Sequence, residues 1–263
     1  MDHAHQSPCR HRRKHTTRPR RAEFQPSPPR GQYRPTPFPY RVSQSAYSRS
    51  LDRLVLTSDT PNSLPLFAPL TRADQSIALA RPPTSIALRP DGLFAAVGHD
   101  AGLSLVNLQT ATVEAFLPVP LEVATLVFSP RSILFAYPSA NRGTPIRLNL
   151  ANRAIAPLPP ALPTSVVRLS PDATTLASSA ALIERWTING TLLNPLATAT
   201  PESRGNLWFT HSGSRLLTAC AVSYLSSDLS PNHRINRGIS AHPDITEGPG
   251  FLAANRYGAS ILR

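Results

Sequence analysis

The chain has 263 residues, 41% of them apolar, and a formal net charge of +12, enough for one large domain or two small ones with a real core. The charge is lopsided: residues 1–50 carry eleven Arg or Lys against Asp2 and Glu23, while the other 213 residues carry sixteen basic and thirteen acidic side chains. The high isoelectric point therefore belongs to the N-terminal segment and implies no basic face on a folded body.

Two cysteines, Cys9 and Cys220, make no disulfide framework and suit a reducing compartment. No run of eighteen apolar residues announces a membrane span, and the N-terminus lacks the apolar stretch of a secretory signal. These features point to a nuclear or cytoplasmic protein that is neither secreted nor membrane-bound.

In chain order, residues 1–44 read as a disordered, basic, Pro-rich arm. "HRRKHTTRPRR" places Arg12, Arg13 and Lys14 in one cluster and Arg18, Arg20 and Arg21 in a second. That spacing suits an acidic nuclear-import receptor, other acidic partners or a phosphate backbone. "QPSPPRGQYRPTPFPYR" follows, a composition that favours extended polyproline conformations. His3, His5, Cys9, His11 and His15 crowd the same arm, but Arg10, Arg12, Arg13 and Lys14 among them repel a divalent cation, so no metal site is expected.

From residue 45 to 263 the sequence repeats. "TSIALRPDGLFAAVG", "VATLVFSPRSILFAY", "SVVRLSPDATTLASS" and "GNLWFTHSGSRLLTA" each join two apolar runs through a short polar turn. The turn markers Pro90, Pro130, Pro171 and His211 are 40, 41 and 40 residues apart, and weaker copies place Arg49 and Pro249 at similar intervals. A fixed period near 40 signals a solenoid or propeller. Pro90-Asp91-Gly92 has the chemistry of a tight turn, Pro fixing φ and Gly accepting a positive φ; Pro171-Asp172 repeats the first half of it. A third apolar run follows in each unit ("GLSLVNL", "PIRLNL", "LIERWTI", "CAVSYL") and a polar or Pro-rich linker completes it. Four short antiparallel strands per repeat are the content of a propeller blade.

These units resemble degenerate WD-repeat blades. "RWTINGTLL" keeps Trp186 where that family closes its third strand with Trp-Asp, with Thr187 in place of the Asp and Asn189-Gly190 as the turn. The family's Gly-His ahead of the first strand is missing, as is a recognisable Asp to bond it. The resemblance implies an all-β β-propeller of about five to six blades held by apolar packing more than by the family's polar network. The sixth unit stops at "GASILR", which leaves three alternatives: a smaller ring, completion by a partner chain, or a fragment of a longer protein.

No G-x-S-x-G elbow, phosphate-binding Gly loop, HExxH or CxxC occurs, and His99-Asp100 read as turn residues that point apart. The expectation is a non-catalytic protein-interaction scaffold with no cofactor. Its candidate surface anchors are Arg142, Arg204, Tyr137, Trp208 and Tyr224, though the aromatics also suit a core. The alternative is an RNA- or DNA-associated propeller, for instance in ribosome biogenesis, that uses the arm for phosphate contacts. A propeller hydrolase would need carboxylates or His at a channel mouth, and none can be assembled.

Overall fold

The structure, a computed structural model, describes residues 38–129, 132–139, 143–158, 166–179, 182–190, 192–200, 206–210, 212–219, 222–234, 251–255 and 258–262; for residues 233, 234 and those from 251 onward it describes the backbone only. The basic residues Arg12, Arg13, Lys14, Arg18, Arg20 and Arg21 lie outside these stretches, as do Pro130, Arg142, Arg204 and His211.

The described elements are all strands. β1 (Gln44–Ser48), β2 (Arg53–Asp59), β3 (Asn62–Phe67) and β4 (Asp74–Ala78) form one antiparallel sheet in chain order. β5 (Ser85–Leu88), β6 (Phe94–Asn107), β7 (Thr112–Ser129), β8 (Ile133–Pro138), β9 (Ile146–Asn149) and β10 (Ile155–Pro157) form the second, six-stranded sheet. β11 (Val166–Leu169), β12 (Thr175–Ser179), β13 (Ile183–Asn189) and β14 (Leu192–Ala199) make the third. β15 (Leu207–Phe209), β16 (Arg215–Thr218), β17 (Val222–Leu225) and β18 (Pro231–Arg234) make the fourth. A hairpin of β19 (Phe251–Asn255) and β20 (Gly258–Leu262) follows.

The molecule is thus all-β and propeller-like, with four large sheets where five to six blades were expected. The reason lies in the six-stranded sheet, which holds two sequence repeats. Leu108 N–H donates to Leu93 O at 2.9 Å, whereas fourteen extended residues would span roughly 46 Å, so β6 folds back on itself. β7 then pairs with β6 from Thr112 to Pro118 and, past a register shift, at Glu122, and with β8 through Val123 to Ser129. Pro118 and Pro120, which lack N–H donors, fall at the changeover, and the chain passes from one repeat to the next without leaving the extended conformation.

The forty-residue period reappears as backbone geometry. Asp52, Gly92, Ser132, Ala173 and Gly213 all hold a left-handed φ between 49° and 71°, at intervals of 40, 40, 41 and 40. In three of these turns the left-handed residue's N–H closes on the carbonyl three residues back at 2.8 Å: Gly92 on Arg89, Ala173 on Ser170, Gly213 on Thr210. A turn that reverses an apolar run so tightly brings two runs into one antiparallel pair, which is why the repeat is read so clearly.

The first strand of each repeat packs on the next: β1 lies beside β5, β5 beside β7, β7 beside β11 and β11 beside β15. Gln44 Nε2 donates to Thr84 O at 2.9 Å, and Thr84 Oγ1 and Ser85 Oγ donate to Val123 O at 2.7 Å, tying three first strands together. Gly98 permits this approach, since a Cβ there would lie 2.2 Å from Ser85 Oγ and 2.7 Å from Val123 Cγ1.

Between neighbouring repeats lie four apolar clusters. Period-two alternation sends residues of one strand to opposite faces. Ile133, Phe135 and Tyr137 of β8 face β11–β14, while Leu134 and Ala136 face β6. Burial on both faces explains why these strands read as continuously apolar runs. One of the clusters packs Ala96 and Leu103 against Leu134 and Leu148, so the six-stranded sheet bends until its own halves face each other.

Candidate functional site

The turn residues expected to define the repeat are structural. Arg89 Nε donates to Asp91 Oδ2 at 2.7 Å and Leu93 N–H to Asp91 Oδ1 at 3.0 Å. The Arg89 hydrogen bond is the main reason that the Asp91 carboxyl sits below the usual carboxylate range. Asp172 reaches a similar end by different means: its Oδ1 accepts from Ser170 Oγ at 2.6 Å and Thr174 N–H at 3.1 Å, and its Oδ2 from Thr174 Oγ1 at 2.9 Å. The Ser170 hydroxyl leads in lowering its pKa. Pro90 opens the first of these turns and Pro171 the second. Trp186 sits on β13, opposite Leu176 and Pro195, in the cluster between β8 and β12.

The aromatic anchors are buried: Tyr137 is 0% exposed, Tyr224 1% and Trp208 5%. They serve the core: Tyr137 packs with Phe135 and Trp186, and Tyr224 with Leu216 and Val222. His99 is buried as well. Its Nδ1 lies 3.0 Å from Pro82 O and its Nε2 2.8 Å from Ser104 Oγ. A carbonyl only accepts, so Nδ1–H donates to it and Nε2 accepts from the serine. Burial pushes the imidazole pKa down, so this ring is a neutral strut. Both residues lie within β6 and not in the turn expected for them; Asp100 is exposed where His99 is buried, because successive residues of a strand face opposite ways.

What the structure adds is a cleft of about 170 Å³ where the two halves of the six-stranded sheet meet. Ala95, Leu105, Ala115, Phe128 and Leu150 give it apolar walls, and Arg89, Phe94, Glu114 and Arg153 surround them. The small side chain of Ala115 leaves the space, while that of Ala95 packs on the opposite face of β6, among Val55, Leu64 and Val97. Arg89 is held in place twice, its guanidinium stacked 3.9 Å from the Phe94 ring centroid and its edge engaged by Asp91. Glu114 Oε1 accepts from Asn107 Nδ2 at 2.9 Å. Arg153, on the β9–β10 turn with φ at 59°, is exposed. Sequence reasoning missed this site, because its walls combine both arms of β6 and of β7 with Leu150 just past β9, and an alanine carries no signal of its own.

The cleft can bury an apolar group beside fixed charges. Among the described residues no group of three His, Cys, Asp or Glu stands close enough to hold a metal ion, and no helix is long and apolar enough to cross a membrane.

The class the geometry defines is a propeller-like stack of antiparallel sheets with an inter-repeat cleft, and similarity to solved structures agrees. No family model and no curated protein matches the chain. A functionally unknown protein from Desulfotomaculum acetoxidans is similar with a TM-score of 0.65 at 14% identity, over 77% of this chain and 72% of that one. Hydrazine synthase from Kuenenia stuttgartiensis is similar at 0.57 and 13% identity, over 87% of this chain and 60% of that one. A chain of the mitotic checkpoint complex is similar at 0.57 and 15% identity, over 68% and 60%. This chain therefore spans well under the full length of two of the three. At such identities the likeness is one of fold.

Proposed function

We propose that this chain is a non-catalytic protein-interaction scaffold of the WD-like propeller type, acting in the nucleus or cytoplasm. In this reading the six-stranded sheet is two blades joined through β7, which makes five four-stranded units. The supporting observation is the cleft: a rigid frame of stacked sheets holds an apolar recess with an arginine, a glutamate and an aromatic-backed guanidinium around it, the mixture by which one protein anchors a side chain of another. The position of Trp186 in a third strand supports the WD-like reading. Its indole N–H has no partner among the described residues, in keeping with blades held by apolar packing.

Site-specific photo-crosslinking tests the scaffold reading. A photoreactive phenylalanine in place of Glu114 should give a discrete protein adduct in cells of origin. The same probe in place of Leu70, the most exposed of the large apolar side chains at 87%, should give none. Adducts absent at residue 114, or equal at both positions, would overturn the cleft as an interaction site.

A further inference from the structure

The recess is too small for a cofactor. Small-molecule sites run from about 300 to 1,000 Å³, whereas about 170 Å³ is close to the roughly 150 Å³ that holds one benzene-sized group. One branched aliphatic or benzyl side chain fills it. Resting on the scaffold reading, we infer that the cleft takes a short acidic peptide segment, one leucine-sized side chain in the recess and a neighbouring carboxylate on Arg153.

The charges around the recess select for that partner. Arg89 already faces the Asp91 carboxylate at 2.7 Å and its flat face lies on Phe94, so its charge is largely answered within the protein. Glu114 gives one oxygen to the Asn107 amide. Among the described residues Arg153 makes no hydrogen bond or ion pair, and a left-handed backbone at φ 59° holds it at the exposed end of the β9–β10 turn, beside Leu150 of the recess wall. A guanidinium binds carboxylate through paired N–H donors, which gives direction as well as attraction. Glu114 on the same rim repels a second acid, so the carboxylate must approach from the Arg153 side.

The test uses the full chain and fluorescein-labelled, capped decapeptides of Gly and Ser that carry Leu-Asp-Asp at the centre, with Ala-Asp-Asp and Leu-Lys-Lys as comparison peptides, read by fluorescence polarisation. The Leu-Asp-Asp peptide should bind best. Arg153→Glu should weaken it about tenfold, and Glu114→Gln should tighten it by a few-fold, the loss and gain expected of exposed rim charges. Ala115→Leu, which fills the recess, should abolish binding; Arg153→Glu, on an exposed turn, keeps the test valid should the recess variant fail to fold. Binding that ignores Arg153→Glu, a preference for Leu-Lys-Lys, or no saturable binding by any of the three peptides overturns the inference. A protein adduct at residue 114 combined with any of those results would defeat the acidic-segment inference alone, whereas loss of the adduct defeats the scaffold reading beneath it.

Discussion

Two neighbouring junctions of this molecule share one architecture and differ in what fills them. Between the third and fourth repeats, Phe135, Tyr137, Leu158, Leu176 and Trp186 pack together in one buried cluster. Between the second and third, Ala96 and Ala136 lie in the packed part and Ala115 lines an open cleft. The backbone frame is set by turns and ladders, and the side-chain volumes then decide whether a junction is cement or a binding recess. The closed junction carries a cost of its own: among the described residues neither Tyr137 Oη nor Trp186 Nε1 finds a hydrogen-bond partner, and burial pushes the tyrosine pKa up.

Truncations can break this contrast. Trp186→Ala should destabilise the protein most, by about 3–5 kcal/mol, because a fully packed junction cannot collapse around the loss. Leu105→Ala, on the wall of a recess that is already open, should cost only about 2 kcal/mol, at the low end for buried leucines. Urea unfolding measures both, and equal costs would erase the distinction. Gly92→Ala should cost about 1–2 kcal/mol, since φ is +71° and the new Cβ would sit 2.9 Å from Ser48 Oγ. Tyr137→Phe should raise stability by about 1 kcal/mol by removing an unsatisfied buried hydroxyl; a loss of that size would mean the hydroxyl has a partner after all.

The smallest effect concerns pH. The folded-state pKa of His99 is depressed by burial, so the unfolded chain binds the proton more readily. Its contribution is complete above the unfolded value of about 6.5 and is lost as pH falls from there toward the folded value. His99→Gln should flatten the stability profile between pH 7 and 5.5. The depressed carboxyls of Asp91 and Asp172 act in a separate window, with stability present above about pH 4 and lost below it as they take up protons.

Much of the frame was legible. Pro-Asp-Gly and its relatives impose a left-handed residue at fixed intervals, and that constraint is local, so Pro90-Asp91-Gly92 and Pro171-Asp172 read correctly as turns. The merging of two repeats into one sheet was not legible. Pro118 and Pro120 look like linker residues, yet a proline restricts φ to a value that extended chain also accepts, and the strand continues through them. Tyr137, Trp208 and Tyr224 show the second limit: a sequence gives the apolar character of a strand, but whether its second face is covered depends on the sheet that comes next. The cleft marks the third, because it arises where the small Ala115 meets Phe128 and Leu150 across the fold of the six-stranded sheet, which no local pattern announces.

The uninterrupted course of β7 has a mechanical corollary. Because the same eighteen residues close one repeat and open the next, no slack separates them, and neither can swing without dragging the other. Stretched between its ends in an optical trap, the chain should surrender those two repeats in a single rip, while the sheet of β15–β18 comes away by itself.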